Sequence, residues 1–171
     1  MEASKLILSG LLLTTCALIF QLAGLASPNL ITTDVEGVKL PAGLWKLCAK
    51  ARKANWCLEH KGVRDRLEPV RATATIGLIS LLFALVLLIL KKFVMKDKKN
   101  ILFVAIGSTF VGAFFILISI ADFARKIDDD FNSDGEELEY DFTFAFALCI
   151  IAMLSSISAG AVMIADAVKT D

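Results

Sequence analysis

Four long apolar runs, separated by three polar segments, set the pattern of this chain. The runs cover residues 6–26, 72–90, 101–121 and 142–165. Each is close to the roughly 20 residues that an α-helix needs to cross about 30 Å of hydrocarbon. The polar segments between them, residues 27–71, 91–100 and 122–141, are then connections. The pattern predicts one domain of 171 residues with four membrane spans.

The first run has a competing interpretation as a cleaved signal peptide. Gly24 and Ala26 form a small-x-small pattern just before Ser27, as at many cleavage sites. The run is long for a signal core, however, and only Lys5 precedes it as a positive charge. A membrane span is the favoured interpretation.

The first polar segment predicts a small folded unit. It contains Pro28, Pro41 and Pro69, and residues 30–33 and 38–40 have the β-branched or apolar character of short strands. Cys48 and Cys57 lie here, separated by eight residues. A disulfide between them would contribute roughly 2–3 kcal/mol in an oxidising compartment, and it would join neighbouring strands or a strand to its turn.

Composition supports a membrane protein and argues against an enzyme. Hydrophobic residues make up 57% of the chain, and the mean hydropathy is +0.70, above ordinary soluble domains. No nucleophile–base pair, metal cluster or phosphate-binding glycine loop is present, and His60 has no partner at zinc spacing. We expect no firm cofactor and no nucleic-acid partner, with membrane lipid as the surroundings.

Charge along the chain bears on orientation. The connector 91–100 carries five lysines, whereas the segment 27–71 carries nine basic residues and the segment 122–141 two more. A bare positive-inside count therefore favours the opposite orientation. Two observations instead predict cytoplasmic termini, with both large polar segments outside the cell. The lysines of the connector are dense and lie next to two spans, and a disulfide requires an oxidising compartment.

The fourth run carries a face of small residues suited to helix packing. Ala152, Ser156 and Gly160 recur at a spacing of four, and small side chains let helices in a membrane approach closely. We expect this face to pack inside the bundle, with a contact between molecules as the alternative.

Sequence motifs give the chain a family resemblance. Gly43, Leu44 and Trp45 are followed by Cys48 and Cys57, and Arg71 opens the second span. In this arrangement the chain resembles the claudin superfamily, which includes claudins, peripheral myelin and epithelial membrane proteins and the γ-subunits of channels. Unlike most members, it has no tryptophan in residues 27–33, and Lys169, Thr170 and Asp171 are not the hydrophobic ending that junction scaffolds bind.

The resemblance implies a fold and a function. The expected fold is a left-handed four-helix transmembrane bundle bearing a small extracellular antiparallel β-sheet, with Trp45 at the membrane surface and a Cys48–Cys57 bridge between strands. The expected function is junction or adhesion at the plasma membrane, through association with like molecules in the same and opposing membranes. The alternatives are an auxiliary subunit of a channel or receptor and a myelin-type membrane organiser.

The acidic segment 122–141 contains a motif similar to a calcium-binding loop. It carries nine acidic against two basic residues, a net charge of −7. Oxygen ligands at alternate positions and a glycine turn are typical of EF-hand loops. The calcium ligands would be Asp130, Asn132, Asp134, Glu136 and Asp141. The favoured interpretation is nevertheless a solvated acidic loop.

Overall fold

The structure, a computed structural model, combines four long helices with one small sheet. It describes residues 2–35, 38–51, 54–59, 64–94, 99–132 and 140–169. The helices are α1 (Glu2–Ala26), α2 (Arg64–Phe93), α3 (Lys99–Asn132) and α4 (Phe144–Lys169). The strands are β1 (Ile31–Val35), β2 (Val38–Ala42), β3 (Lys46–Ala51), β4 (Ala54–Glu59) and β5 (Tyr140–Phe142).

All four helices are long and apolar enough to cross a membrane. The qualifying stretches are Lys5–Ala26, Leu67–Phe93, Asn100–Ile127 and Phe144–Lys169. The four predicted spans are therefore present. The first run forms helix α1, which packs against both α4 and α2.

All four helices extend beyond the apolar runs that predicted them, α2 and α3 by the largest amounts. Helix α2 begins at Arg64, about two turns before residue 72, and α3 continues to Asn132, about three turns past residue 121. The acidic segment, expected to be a loop from residue 122, thus begins as helix. Hydropathy marks the part of a helix that lipid surrounds, whereas the hydrogen bonds of the helical backbone can continue into the polar residues beyond it.

The helices form a closed ring in which each contacts two neighbours. Helix α1 packs on α4 and α2, and α3 packs on α2 and α4. The face of small residues on α4 points into this ring, because Ala152, Ser156 and Gly160 are all buried. A Cβ on Gly160 would lie 2.7 Å from the ring of Phe110, so the glycine lets this ring of α3 pack directly on the backbone of α4.

The sheet joins both large polar segments at one end of the bundle. Its strand order is β4-β3-β2-β1-β5, and every pairing is antiparallel. Strands β1 and β2 correspond to the two predicted strands, and β5 comes from the second polar segment, with Ile31 opposite Phe142. We call this the sheet end of the bundle and the end with the α2–α3 connection the connector end.

A cluster of buried residues fastens the sheet to the helices at the sheet end. It contains residues from α1, from the segment around β1, from the turn before β3, and from α2, α3 and α4. Its members are Leu25, Leu30, Ile31, Leu44, Leu67, Val70, Ala74, Phe123 and Ala145. The predicted fold class, a four-helix membrane protein with a small antiparallel sheet, is confirmed.

Candidate functional site

Trp45 connects the turn before β3 to the end of α1. Its indole Nε1 donates a hydrogen bond to the carbonyl oxygen of Leu25, at 2.9 Å. Leu25 lies in the last turn of α1, where carbonyl groups have no partner within the helix. The indole therefore satisfies one of these carbonyls, while 43% of the Trp45 side chain stays exposed.

Arg71 holds the same turn from the side of α2. Its Nε donates a hydrogen bond to the carbonyl oxygen of Leu44, at 2.9 Å. Its guanidinium carbon lies 5.1 Å from the centroid of the Trp45 ring, within the range of a cation–π interaction. One arginine thus binds both the backbone and the aromatic side chain of the turn.

Gly43 and Leu44 complete this arrangement from within the turn. A Cβ on Gly43 would lie 2.5 to 2.7 Å from backbone atoms of Pro28, so the two backbone segments cross at a distance that only glycine allows. Leu44 is 3% exposed and belongs to the buried cluster at the sheet end. We refer to Leu25, Gly43, Leu44, Trp45 and Arg71 as the anchor cluster.

A second connection, which sequence reasoning missed, ties β1 to the start of α4. Asn29 Oδ1 accepts hydrogen bonds from the hydroxyl groups of Thr32, at 3.1 Å, and Thr143, at 3.4 Å. The backbone N–H of Thr143 also donates to the carbonyl of Leu30, at 3.0 Å. The residues are more than 110 positions apart in the chain, and no sequence motif links them.

The strand register places the two cysteines of the first polar segment opposite each other. Cys48 of β3 pairs with Cys57 of β4. Directly opposed residues in antiparallel strands have Cα atoms about 4.5–5.5 Å apart, which is within the range that a disulfide spans. Their side chains lie outside the described residues, so the disulfide stays a prediction that this register supports.

The structure describes only part of the proposed calcium-binding segment. Asp130 and Asn132 belong to the last turn of α3, and Asp141 is an exposed residue of β5. Asp134 and Glu136 lie outside the described residues. Within the described ranges no group of three or more His, Cys, Asp or Glu residues could hold a metal ion. The calcium site stays a prediction.

Charged residues are buried at the connector end. The sequence showed that they lie near the ends of the spans, but not that they are buried. Asp166 of α4 is 2% exposed and Lys91 of α2 is 8% exposed. Lys91 and Lys169 both interact electrostatically with Asp166. The carboxylate thus lies among cations from the ends of two helices that are not principal packing partners. The sequence signal for this burial was an acidic residue directly after the fourth apolar run, at the same end of the bundle as the lysine-rich connector.

Comparison with known proteins identifies the family and no individual relative. No single curated protein matches the chain significantly. The profile of the PMP-22/EMP/MP20/Claudin family matches residues 4–163, which covers all four helices almost completely, the whole sheet and the anchor cluster. This agrees with the resemblance found in the Gly43–Trp45 motif, the two cysteines and Arg71. The chain belongs to the PMP-22/EMP/MP20/Claudin family.

Proposed function

We propose that this protein is a claudin-like junction or adhesion protein, which associates with like molecules through its sheet and seals or tunes the gap between cells. The role is structural, without catalysis. The observation that carries the proposal is the construction of the sheet: strands from both large polar segments form one surface, held on the membrane bundle by the anchor cluster.

A held sheet suits adhesion because ordering a surface before contact reduces the entropy lost on binding. Trp45 and Arg71 join the sheet to α1 and α2 through hydrogen bonds to backbone carbonyls. Thr143 and Asn29 join it to the start of α4. Hydrogen bonds therefore join the sheet to three of the four helices.

The charges of the two polar segments favour contact between molecules. Residues 27–71 carry nine basic and five acidic residues, a net charge of +4, whereas residues 122–141 carry −7. The pairing of β1 with β5 holds both segments at the same end of the bundle. Opposite surfaces on neighbouring molecules can then attract each other over about 8 Å at physiological salt.

The proposal includes an orientation, with the sheet outside the cell and both termini in the cytoplasm. The lysine-rich connector and the opposed Cys48 and Cys57 support it. Thiol-reactive reagents that do not cross membranes provide the check. In intact cells, Cys48 and Cys57 should react only after reduction, and a cysteine placed at Lys99 should react only after permeabilisation.

Expression in non-adherent cells without junctions tests the function. Freeze-fracture should show strands at contacts between expressing cells. The variant Gly43→Ala should lose them, because its Cβ would clash with the backbone of Pro28. Gly107→Ala is the matched control, since a Cβ at Gly107 of α3 meets nothing within 4 Å. Surface biotinylation ensures that variants are compared at equal amounts in the plasma membrane.

The charge variant Asp141→Lys tests the association without disturbing the anchor cluster. Asp141 is exposed on β5, so the substitution should leave the fold intact and weaken contacts between molecules. Wild-type protein that reaches the surface without forming strands or aggregating cells would contradict the proposal.

A second candidate function is an auxiliary subunit of a channel or receptor. The outward face of α3 favours it, because Phe103 is 58% exposed and Phe114 is 59% exposed in this bundle. Such large aromatic side chains can pack on lipid or on another membrane protein. Stoichiometric co-purification of a channel from native membranes, without strands at cell contacts, would support this function over adhesion.

A further inference from the structure

A small cavity of about 30 Å³ lies inside the sheet end of the bundle. All four helices contribute to its wall, and Leu30 and Leu44 line it from the side of the sheet. Leu44 also belongs to the anchor cluster. The cavity therefore adjoins the residues that position the sheet.

Gln21 of α1 is the polar residue that makes this cavity unusual. It lines the cavity, it is 2% exposed, and its Oε1 has no hydrogen-bond partner among the described residues. A buried amide oxygen without a donor costs free energy that a bound donor recovers. The position of Gln21 thus indicates a ligand that can hydrogen-bond to its side-chain amide.

The rest of the wall defines the chemistry of that ligand. The lining contains no charged side chain, and Ser119 uses its hydroxyl hydrogen in a 3.2 Å bond to the carbonyl of Val70. The Ser119 oxygen can still accept a hydrogen bond. An ion would lose its hydration here without compensation, so the ligand is neutral.

A hydroxyl group fits these requirements. It can donate to an amide oxygen and accept from an amide N–H, so it suits either orientation of the Gln21 amide. The cavity volume exceeds the roughly 10–15 Å³ that one water molecule requires. We propose that this cavity binds a neutral hydroxyl group, supplied by water or by the head of a membrane alcohol, through the side-chain amide of Gln21.

Photolabelling in phosphatidylcholine nanodiscs tests the alcohol as the source. The probe is a diazirine derivative of octanol, and the matched probe is the diazirine octane without the hydroxyl. The alcohol should label wall peptides that contain Phe146 and Cys149, and loss of its hydrogen bond in Gln21→Met should reduce this labelling roughly tenfold. Thr109→Val is the control, because Thr109 is buried away from the cavity and bonds within its own helix.

Water as the source is tested by solid-state NMR with magnetisation transferred from water protons. Ser119 should receive this transfer in the wild type and lose it in Gln21→Met. Labelling by the alcohol identifies a membrane alcohol, and transfer without labelling identifies water. The proposal is overturned if neither signal occurs, or if both are unchanged in Gln21→Met.

The proposal can also be tested without the Gln21→Met variant. Methionine matches glutamine in length and leaves no unsatisfied polar group, so Gln21→Met should melt no lower than the wild type. If it does not fold, competition by unlabelled octanol against the probe on the wild type decides the alcohol source, and transfer from water to the Gln21 amide of the wild type decides the water source. Absence of both then overturns the proposal.

Discussion

The two ends of this bundle are held together by different forces. At the sheet end, a neutral and a cationic donor form hydrogen bonds of 2.9 Å to backbone carbonyls, Trp45 to Leu25 and Arg71 to Leu44. At the connector end, buried charges on Lys91 and Asp166 attract each other. Hydrogen bonds depend on angle and therefore fix the orientation of a folded unit, whereas the attraction between charges depends mainly on their distance. The sheet end therefore holds its folded unit in a defined orientation on the helices.

The largest effect should come from breaking the charge cluster at the connector end. Asp166→Asn leaves Lys91 buried near the helix ends without its carboxylate, which should lower the free energy of unfolding by about 3 kcal/mol. Thermal unfolding in nanodiscs measures this. Asp141→Asn, at an exposed position, should change stability by less than about 0.5 kcal/mol.

The double variant Asp166→Asn with Lys91→Met shows whether the loss of stability arises from the buried Lys91 ammonium that has lost its carboxylate partner. Removing both charges should restore part of the stability, since replacing a buried pair with apolar groups is often neutral. If the double variant is as unstable as the sum of the single variants, the two ends do not differ in the way described.

The predicted disulfide would add a covalent contribution at the sheet end. Cys48→Ser should lower the free energy of unfolding by roughly 2–3 kcal/mol, the chain-entropy value for a ten-residue loop. Cys57→Ser should have the same effect, and the double variant no more than either alone. Cys16→Ser, on the outward face of α1, is the control. Equal stability of the wild type with and without reductant would contradict the disulfide.

A double-mutant cycle between Arg71 and Trp45 sharpens the account of the anchor cluster. Arg71→Met removes a charge-assisted hydrogen bond and should cost about 1.5–3 kcal/mol. Trp45→Leu removes both the aromatic ring and the hydrogen bond to Leu25, and the lost hydrogen bond alone should cost about 0.5–1.5 kcal/mol. Because the guanidinium lies 5.1 Å from the indole centroid, the two effects should couple by at least about 0.5 kcal/mol. Strict additivity would show that the cation–π contact contributes nothing.

The smallest effect should come from the link between β1 and α4. Thr143→Val keeps the shape of the side chain but removes the 3.4 Å hydrogen bond to Asn29. The expected cost is about 0.5–1 kcal/mol. Faster amide hydrogen exchange in β5 than in β2 would locate the loss at this link. Uniform exchange across the sheet would place it elsewhere.

Much of the anchor cluster could be predicted from the sequence, and its geometry could not. The motif at Gly43, Leu44 and Trp45 pointed to the right turn, and Arg71 to the right helix. The roles of these side chains depend on the Leu25 carbonyl and the Pro28 backbone, which lie 15 or more residues earlier in the chain. Gln21 shows the same limit, because a run that is apolar all round does not indicate which side of the helix faces inward.

The sequence by itself determined the four membrane spans, the family and the segment that carries the sheet, because these follow from composition and motifs over short stretches. Only the tertiary structure decided the pairing of β1 with β5, the burial of Asp166 beside Lys91 and the inward position of Gln21. These depend on contacts between residues far apart in the chain, which no local pattern encodes. Hydropathy follows from residues that are neighbours in the sequence, whereas these contacts form only when the chain folds.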